Sequence, residues 1–279
     1  IERPEILVRD GKIARITRGP GEPVADARRI DLAGLSLLPG LIDMHVHLDS
    51  DPSYGGYTGL QFTDRFWSML TVKHAGETLD AGFTTVRNLG DGDGATLALR
   101  DAIAACDVPG PRIFAAGRVI SRTGGHGAKP PGPTELHFEP AGCDGVESCR
   151  RAVRSQVAQG ADVIKMLITG GVNSRIGAGL GAQMFEDEAR AVVETSRMYG
   201  KKVAVHAHGA DGINLALRLG VDSIEHGTLL DKEGLRLFRE SGAYYVPTLS
   251  TVNGYRERLA ANPDAYTGEV LAKILWRID

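Results

Sequence analysis

Seven short apolar runs, each followed by a stretch of helical periodicity, constrain this chain more than any other feature. They fall at 41–47 (LIDMHVH), 83–89 (FTTVRNL), 111–117 (PRIFAAG), 163–169 (VIKMLIT), 202–208 (KVAVHAH), 222–226 (DSIEH) and 244–249 (YYVPTL). Helical patterns lie between them at 64–81, 95–105, 145–159, 186–199, 211–219 and 231–241, with a last helix expected over 254–277. Strands alternating with helices of this length read as βαβ units and a parallel sheet. Seven such strands fit a (β/α)8 TIM barrel better than an open doubly wound sheet, and we find no eighth strand before Asp279. Residues 1–39 stand apart: ILVRDGKIARI reads as strand, Asp10–Gly11 turn and strand. We therefore expect part of a small β-sandwich domain over 1–39 and the barrel, strands one to seven, over 40–279.

At 279 residues, 42% hydrophobic and 24% charged, the chain is long enough for such a barrel and has the composition of a soluble globular protein. A net charge of −3 gives no hint of nucleic acid or an anionic membrane, and no apolar run approaches the roughly 18 residues that span a bilayer. The three cysteines, Cys106, Cys143 and Cys149, are too few for a disulfide scaffold. Cys143 and Cys149 are spaced so that they could pair, yet two reduced thiols in a cytoplasmic enzyme is the simpler expectation. The sequence lacks an initiator methionine and begins inside the strand–turn–strand unit. A short N-terminal piece, and any targeting signal with it, is expected to be missing.

Lys165 lies mid-run in VIKMLITGG, where a lone ammonium in an apolar wall is costly and must be paired, deprotonated or chemically changed. One alternative is pairing with an inward carboxylate, Asp43 or Glu225. Histidines at the ends of neighbouring strands suggest another. His45 and His47 are one residue apart on a strand, so both point to the same face, which is the interior in a barrel. His206 and His208 repeat the spacing on the fifth strand, and His226 ends the sixth. Imidazoles converging on one barrel mouth can chelate metal, and burial beside cations lowers the lysine pKa. A neutral Lys165 amine can then add carbon dioxide, giving an anionic carbamate that bridges two ions.

LLPGLIDMHVH, GFTTVRNLG, TGGH, GADVIKMLITGGV, VAVHAHG and SIEHG together resemble the amidohydrolase superfamily. More closely they resemble its binuclear metal-dependent dipeptidases, prolidase-like and Xaa-Arg/Lys-hydrolysing, related to imidazolonepropionase. The resemblance runs over essentially the whole chain. It implies metal ligation by His45, His47, Lys165, His206 and His226, with N6-carboxylated Lys165 bridging two divalent ions, usually zinc. It implies that His126 of TGGH and His208 face the substrate and serve catalysis with Lys165. The implied partner is a small molecule or dipeptide, and the implied assembly is a homo-oligomer. Two departures stand out. Asn88 replaces an aspartate at a position expected to be structural. The family's catalytic aspartate at the end of strand eight has no counterpart, and Asp264 and Asp279 follow no strand. The chain is accordingly expected to be part of a longer enzyme, or to be completed by a further chain.

The expected activity is hydrolysis of a dipeptide by metal-activated hydroxide. The alternatives are a cyclic or N-acyl amino-acid amide, a toxin built on one, or a non-catalytic barrel. GAGLGA (177–182) loosely matches a dinucleotide fingerprint but starts well beyond the strand. His74 and His137 read as packing or surface histidines. Arg175 reads as exposed, although a site over the cleft would let it meet a substrate carboxylate; Glu135 or Glu139 would suit a basic leaving residue.

Overall fold

The computed structural model describes residues 4–54, 61–92, 94–127, 141–174, 179–266 and 268–278. His137, Glu135, Glu139, Arg175 and Asp279 lie outside the described residues. The chain divides into two compact units, Ile1–Pro39 and Gly40–Asp279.

In the first unit, β1 (Pro4–Arg9) and β2 (Lys12–Arg18) form an antiparallel hairpin. Asp10 and Gly11 both carry positive φ, 52° and 70°. That is the twist a two-residue hairpin turn requires, and it is why an Asp-Gly pair sits there.

The second unit is an α/β fold built on parallel strands. β3 (Leu41–Val46), β4 (Phe83–Asn88) and β5 (Arg112–Ala115) form one parallel sheet. β6 (Ile120–Ser121), β7 (Ala141–Gly142), β8 (Val163–Leu167), β9 (Lys202–Ala207), β10 (Ser223–His226) and β11 (Tyr244–Val246) form another, also parallel. The short β6 and β7 fall at the start and end of a segment expected to be loop. β5 and β8 meet where Asp162 donates its N–H to Ala115 O (2.8 Å) and accepts from Ala115 N (2.9 Å). The seven long strands therefore run side by side in chain order. Laid flat, β3 and β10 would be five strand spacings apart, roughly 24 Å. Instead, His45 of β3 and Arg87 of β4 both bond Glu225 of β10, at 2.8 and 2.7 Å. The sheet is curled round, as in a TIM barrel. It is not closed, because among the described residues nothing pairs β3 with β11.

Helices α1 (Asp64–Asp80), α2 (Ala95–Ala104), α3 (Val146–Ala158), α4 (Glu186–Met198), α5 (Ala210–Arg218) and α6 (Lys232–Ser241) follow the strands as the periodicity predicts. Their apolar faces bury the outward side of the sheet: Ile164, Met166, Val203, Val205 and Ile224 pack with Val153, Val192 and Ile213. β8 is buried at every residue, the pattern of a parallel strand covered on both faces. The single helix expected over 254–277 is instead two, α7 (Ser250–Ala261) and α8 (Gly268–Ile278). Pro263 explains the break: it disfavours helical geometry at Asn262, which is extended at φ −148°, ψ 101°.

Cys143 and Cys149 are joined in a disulfide, with Cα atoms 4.2 Å apart, whereas two reduced thiols were expected. The turn into α3 brings the pair together, and both are fully buried. Among the described residues no helix is long and apolar enough to cross a membrane. Of GAGLGA, Gly179–Ala182 sits in a loop ahead of α4, so it does not open a helix as a dinucleotide fingerprint must.

Candidate active site

The C-terminal ends of the strands open into a cleft of about 710 Å³. Its lining includes the seven residues that the resemblance assigned to ligation or catalysis: His45, His47, His126, Lys165, His206, His208 and His226. Ring centroids are 5.4 Å apart for His45–His47, 4.9 Å for His45–His226, 4.7 Å for His206–His226 and 4.1 Å for His126–His206. Sheet alternation brings these residues together, because inward positions at the ends of β3, β8, β9 and β10 share one mouth.

Hydrogen bonds fix the ring orientations. His45 donates from Nδ1 to the Glu225 carboxylate (2.8 Å), and His47 donates from Nδ1 to Gly90 O (3.0 Å). Since carboxylates and carbonyls only accept, the Nε2 lone pair of each ring is left unused. His206 donates from Nε2 to Gly170 O (3.1 Å), which leaves its Nδ1. His208 and His226 bond through Nδ1 to the hydroxyls of Thr228 and Thr248, both at 2.8 Å. His126 bonds through Nδ1 to the Ser174 hydroxyl. His226 has φ 71° and Thr248 φ 49°, left-handed backbone that a non-glycine residue adopts at a cost. Both bends lie where strand gives way to the cleft.

Electrostatics keep the cluster neutral. Burial, then the Lys165 charge, lowers His126 to about 4. His47 lines the cleft and is exposed as a residue, yet enclosure by surrounding protein and the Lys165 charge lower it to about 4 as well. Burial and the Arg277 charge lower His208 to about 3. Burial also drives His45, His206 and His226 well below the usual imidazole range. Neutral rings with a free lone pair are what metal ligation requires, so the donor set fits a divalent cation. The ligating nitrogens of His206, His208 and His226 lie within 4.8 Å of one another. His208, which the sequence placed on the substrate side, thus joins His206 and His226, which it placed among the metal ligands.

Lys165 is 2% exposed. Glu225, one of the carboxylates the sequence offered it, is bonded to His45, Arg87 and Ser223. Asp43, the other, accepts from the His45 N–H at 2.9 Å. Among the described residues Lys165 has no ion-pair partner, and burial lowers its pKa to about 7 despite the attraction of Glu225.

The remaining positions resolve simply. Asn88 is fully buried and accepts from Leu48 N (2.8 Å) while donating to Gly90 O (3.1 Å), so it ties the ends of β3 and β4 together. His74 donates to Leu48 O (2.7 Å) and packs α1 against the same loop. Asp264 is exposed in the α7–α8 turn. Sequence reasoning missed Arg277, which lines the cleft from α8, and the role of Glu225 as the acceptor for His45. IEH on a buried strand was a signal for the second; a lone arginine in a surface-type helix gave none for the first.

Comparison with known proteins agrees with this architecture. The model of the amidohydrolase family matches residues 36–269. Ochratoxinase of Aspergillus niger is 35% identical over 257 residues, covering 85% of this chain and 52% of the relative. A solved Xaa-Pro dipeptidase with methionine bound in its active site superposes with TM-score 0.85 at 37% identity, over 94% of this chain and 66% of its own. A prolidase complexed with N-methylphosphonate-L-proline gives TM-score 0.86 at 32% identity, over 100% and 69%. The chain spans about half the length of the ochratoxinase it matches. The family match extends across most of the sequence, including the strands that carry the histidine cluster, so the chain belongs to the amidohydrolase family.

Proposed function

We propose that the protein is a metal-dependent hydrolase of carbon–nitrogen bonds, acting on a dipeptide or another N-acyl amino acid through a binuclear centre. The observation that carries this reading is a buried lysine without an ion-pair partner among the described residues, set among neutral imidazoles in one cleft. His45, His47, His206, His226 and Lys165 would hold two divalent ions, with zinc the preferred metal for a nitrogen-rich donor set. Such ions supply Lewis acidity, polarising an amide carbonyl and lowering the pKa of water towards neutrality.

Lys165 completes the donor set. Burial lowers its pKa from the usual lysine range to about 7, which brings the neutral amine within reach at neutral pH. The amine lone pair adds to carbon dioxide, an N–C bond forms, one proton leaves, and the product is an anionic carbamate. A cation that fits badly in an apolar wall becomes an acid ligand that fits well. His126 and His208, neutral and oriented by Ser174 and Thr228, would each present one N–H or lone pair to the substrate carbonyl or its neighbours. The ligands bound in the two similar structures, methionine and a phosphonate of proline, support an amino-acid-bearing substrate.

A second reading follows from the His206–His208–His226 group, which alone would make a mononuclear three-histidine site. Elemental analysis of protein purified with zinc and bicarbonate separates the two. We expect about two zinc ions per chain, falling to one or none in Lys165→Ala. One ion in both proteins would establish the mononuclear site, and full metal content in Lys165→Ala would eliminate the carbamate.

A further inference from the structure

We propose that Arg277 of α8 is a carboxylate anchor, so that the cleft selects amides whose amino-acid portion bears a free carboxylate. The proposal rests on the amide-hydrolase reading above and assigns its specificity to one residue.

The guanidinium of Arg277 lines the cleft and is half-buried. Its donors reach three hydroxyls: Thr228 Oγ1, Thr248 Oγ1 at 3.4 Å and Thr251 Oγ1 at 3.2 Å. Hydroxyls can accept these hydrogens but bring no negative charge. Among the described residues, no carboxylate pairs with it. Arg87 and Arg100 of the same unit behave differently: each meets a carboxylate, Glu225 at 2.7 Å and Asp162 at 2.8 Å. Burial also depresses the Arg277 pKa, consistent with a charge that lacks compensation.

A second cation stands beside it. Lys273 precedes Arg277 by one helical turn, so both lie on one face of α8, where like charges repel. Its ammonium is spent on neutral acceptors, Gly171 O at 3.0 Å and Ser174 O at 2.6 Å. Arg277 and Lys273, the latter also attracted by Glu269, bring positive charge to one end of the cleft, and both contribute to lowering the His208 pKa. A planar, five-donor fork in that position matches a carboxylate. Thr228 accepts from Arg277 and bonds His208 Nδ1 at 2.8 Å, which sets the anchor one hydroxyl away from the imidazole cluster. A carboxylate held by Arg277 would bring the adjoining amide beside the histidines.

Calorimetric binding to metal-free protein tests this without depending on turnover, and removes metal as a rival carboxylate receptor. The probes are N-acetyl-L-leucine and its uncharged carboxamide, presented to wild type, Arg277→Gln and Arg277→Lys. We expect wild type to bind the carboxylate form about tenfold or more tightly than the carboxamide. Arg277→Gln should erase that preference by weakening the carboxylate form alone, and Arg277→Lys, which keeps the charge, should retain part of it. Equal binding of both probes by wild type, or an intact preference in Arg277→Gln, would overturn the proposal. Hydrolysis of the same probes by the zinc-loaded protein is scored separately. An Arg277-dependent preference in a protein that takes up no zinc would leave the anchor standing and remove the metal-dependent hydrolase reading.

Discussion

Glu225 shows how much of this site depends on a residue that touches no substrate. Its carboxylate is fully buried and accepts from His45 Nδ1, Arg87 and the Ser223 hydroxyl, at 2.8, 2.7 and 2.6 Å. Two jobs are combined: it neutralises Arg87 inside the sheet, and it fixes which nitrogen His45 turns to the cleft. Glu225→Gln keeps the shape and removes the charge, leaving Arg87 buried without its counter-ion. Breaking one side of such a pair costs about 3–5 kcal/mol, and the glutamine amide recovers part of that. Urea unfolding of metal-free protein should show a loss of about 3 kcal/mol; an unchanged midpoint would mean that Arg87 does not need the charge. Zinc affinity should fall by about tenfold or more, because the acceptor that orients a ligating ring has been weakened. Lys165 and the HxH pairs were legible in the sequence because polar residues in apolar strands are costly and strand period places them on one face. The partners were less so. Glu225 was considered for Lys165, yet curling of the sheet delivered it to His45 and Arg87. Contacts across a barrel interior have no signature in local sequence.

Elements were read well where one local rule acts alone and less well where two compete. The long strands and α1–α6 fall within a few residues of their expected bounds, since apolar period and turn residues agree there. At 254–277 apolar spacing argued for one helix, while Pro263 argued for two, and the proline won. The start of α6 is a case where capping chemistry settles the boundary. Asp231 precedes the helix in extended geometry and its carboxylate accepts from Gly234 N at 2.7 Å, satisfying a hydrogen that the helix itself leaves free. The same carboxylate accepts from Asn214 of α5, so it also ties α6 to its neighbour. Asp231→Ala should cost about 1–2 kcal/mol, read as a lower urea midpoint with an unchanged slope. Asp231→Asn should recover most of that, since an amide oxygen caps nearly as well. No recovery would mean that the charge rather than the cap is what matters.

For the molecule as a whole, the curled sheet gathers basic groups from four strands and one loop into a space that suppresses their protonation. The consequence is a stability that depends on pH in an unusual direction. Each depressed histidine is neutral when folded and takes up a proton when unfolded below about pH 6.5. Its contribution is therefore complete above that pH and is lost on acidification towards the folded values, about 4 for His47 and His126 and about 3 for His208. Lys165 acts in the same sense in a higher window: folded at about 7 and unfolded near 10.5, it penalises the fold increasingly as pH falls between those values. Both windows make metal-free protein more stable as pH rises from 5 to 9, each group contributing about 1.4 kcal/mol per pH unit inside its own window. A melting series without metal should thus climb through neutrality rather than peak there. Lys165→Met, which removes the ionisable group and keeps an apolar side chain, should flatten the climb above pH 7 and leave the acid limb in place. A series that already falls between pH 7 and 9 in the wild type would show that Lys165 finds a counter-charge in solution, and the case for its carboxylation would lose its physical basis.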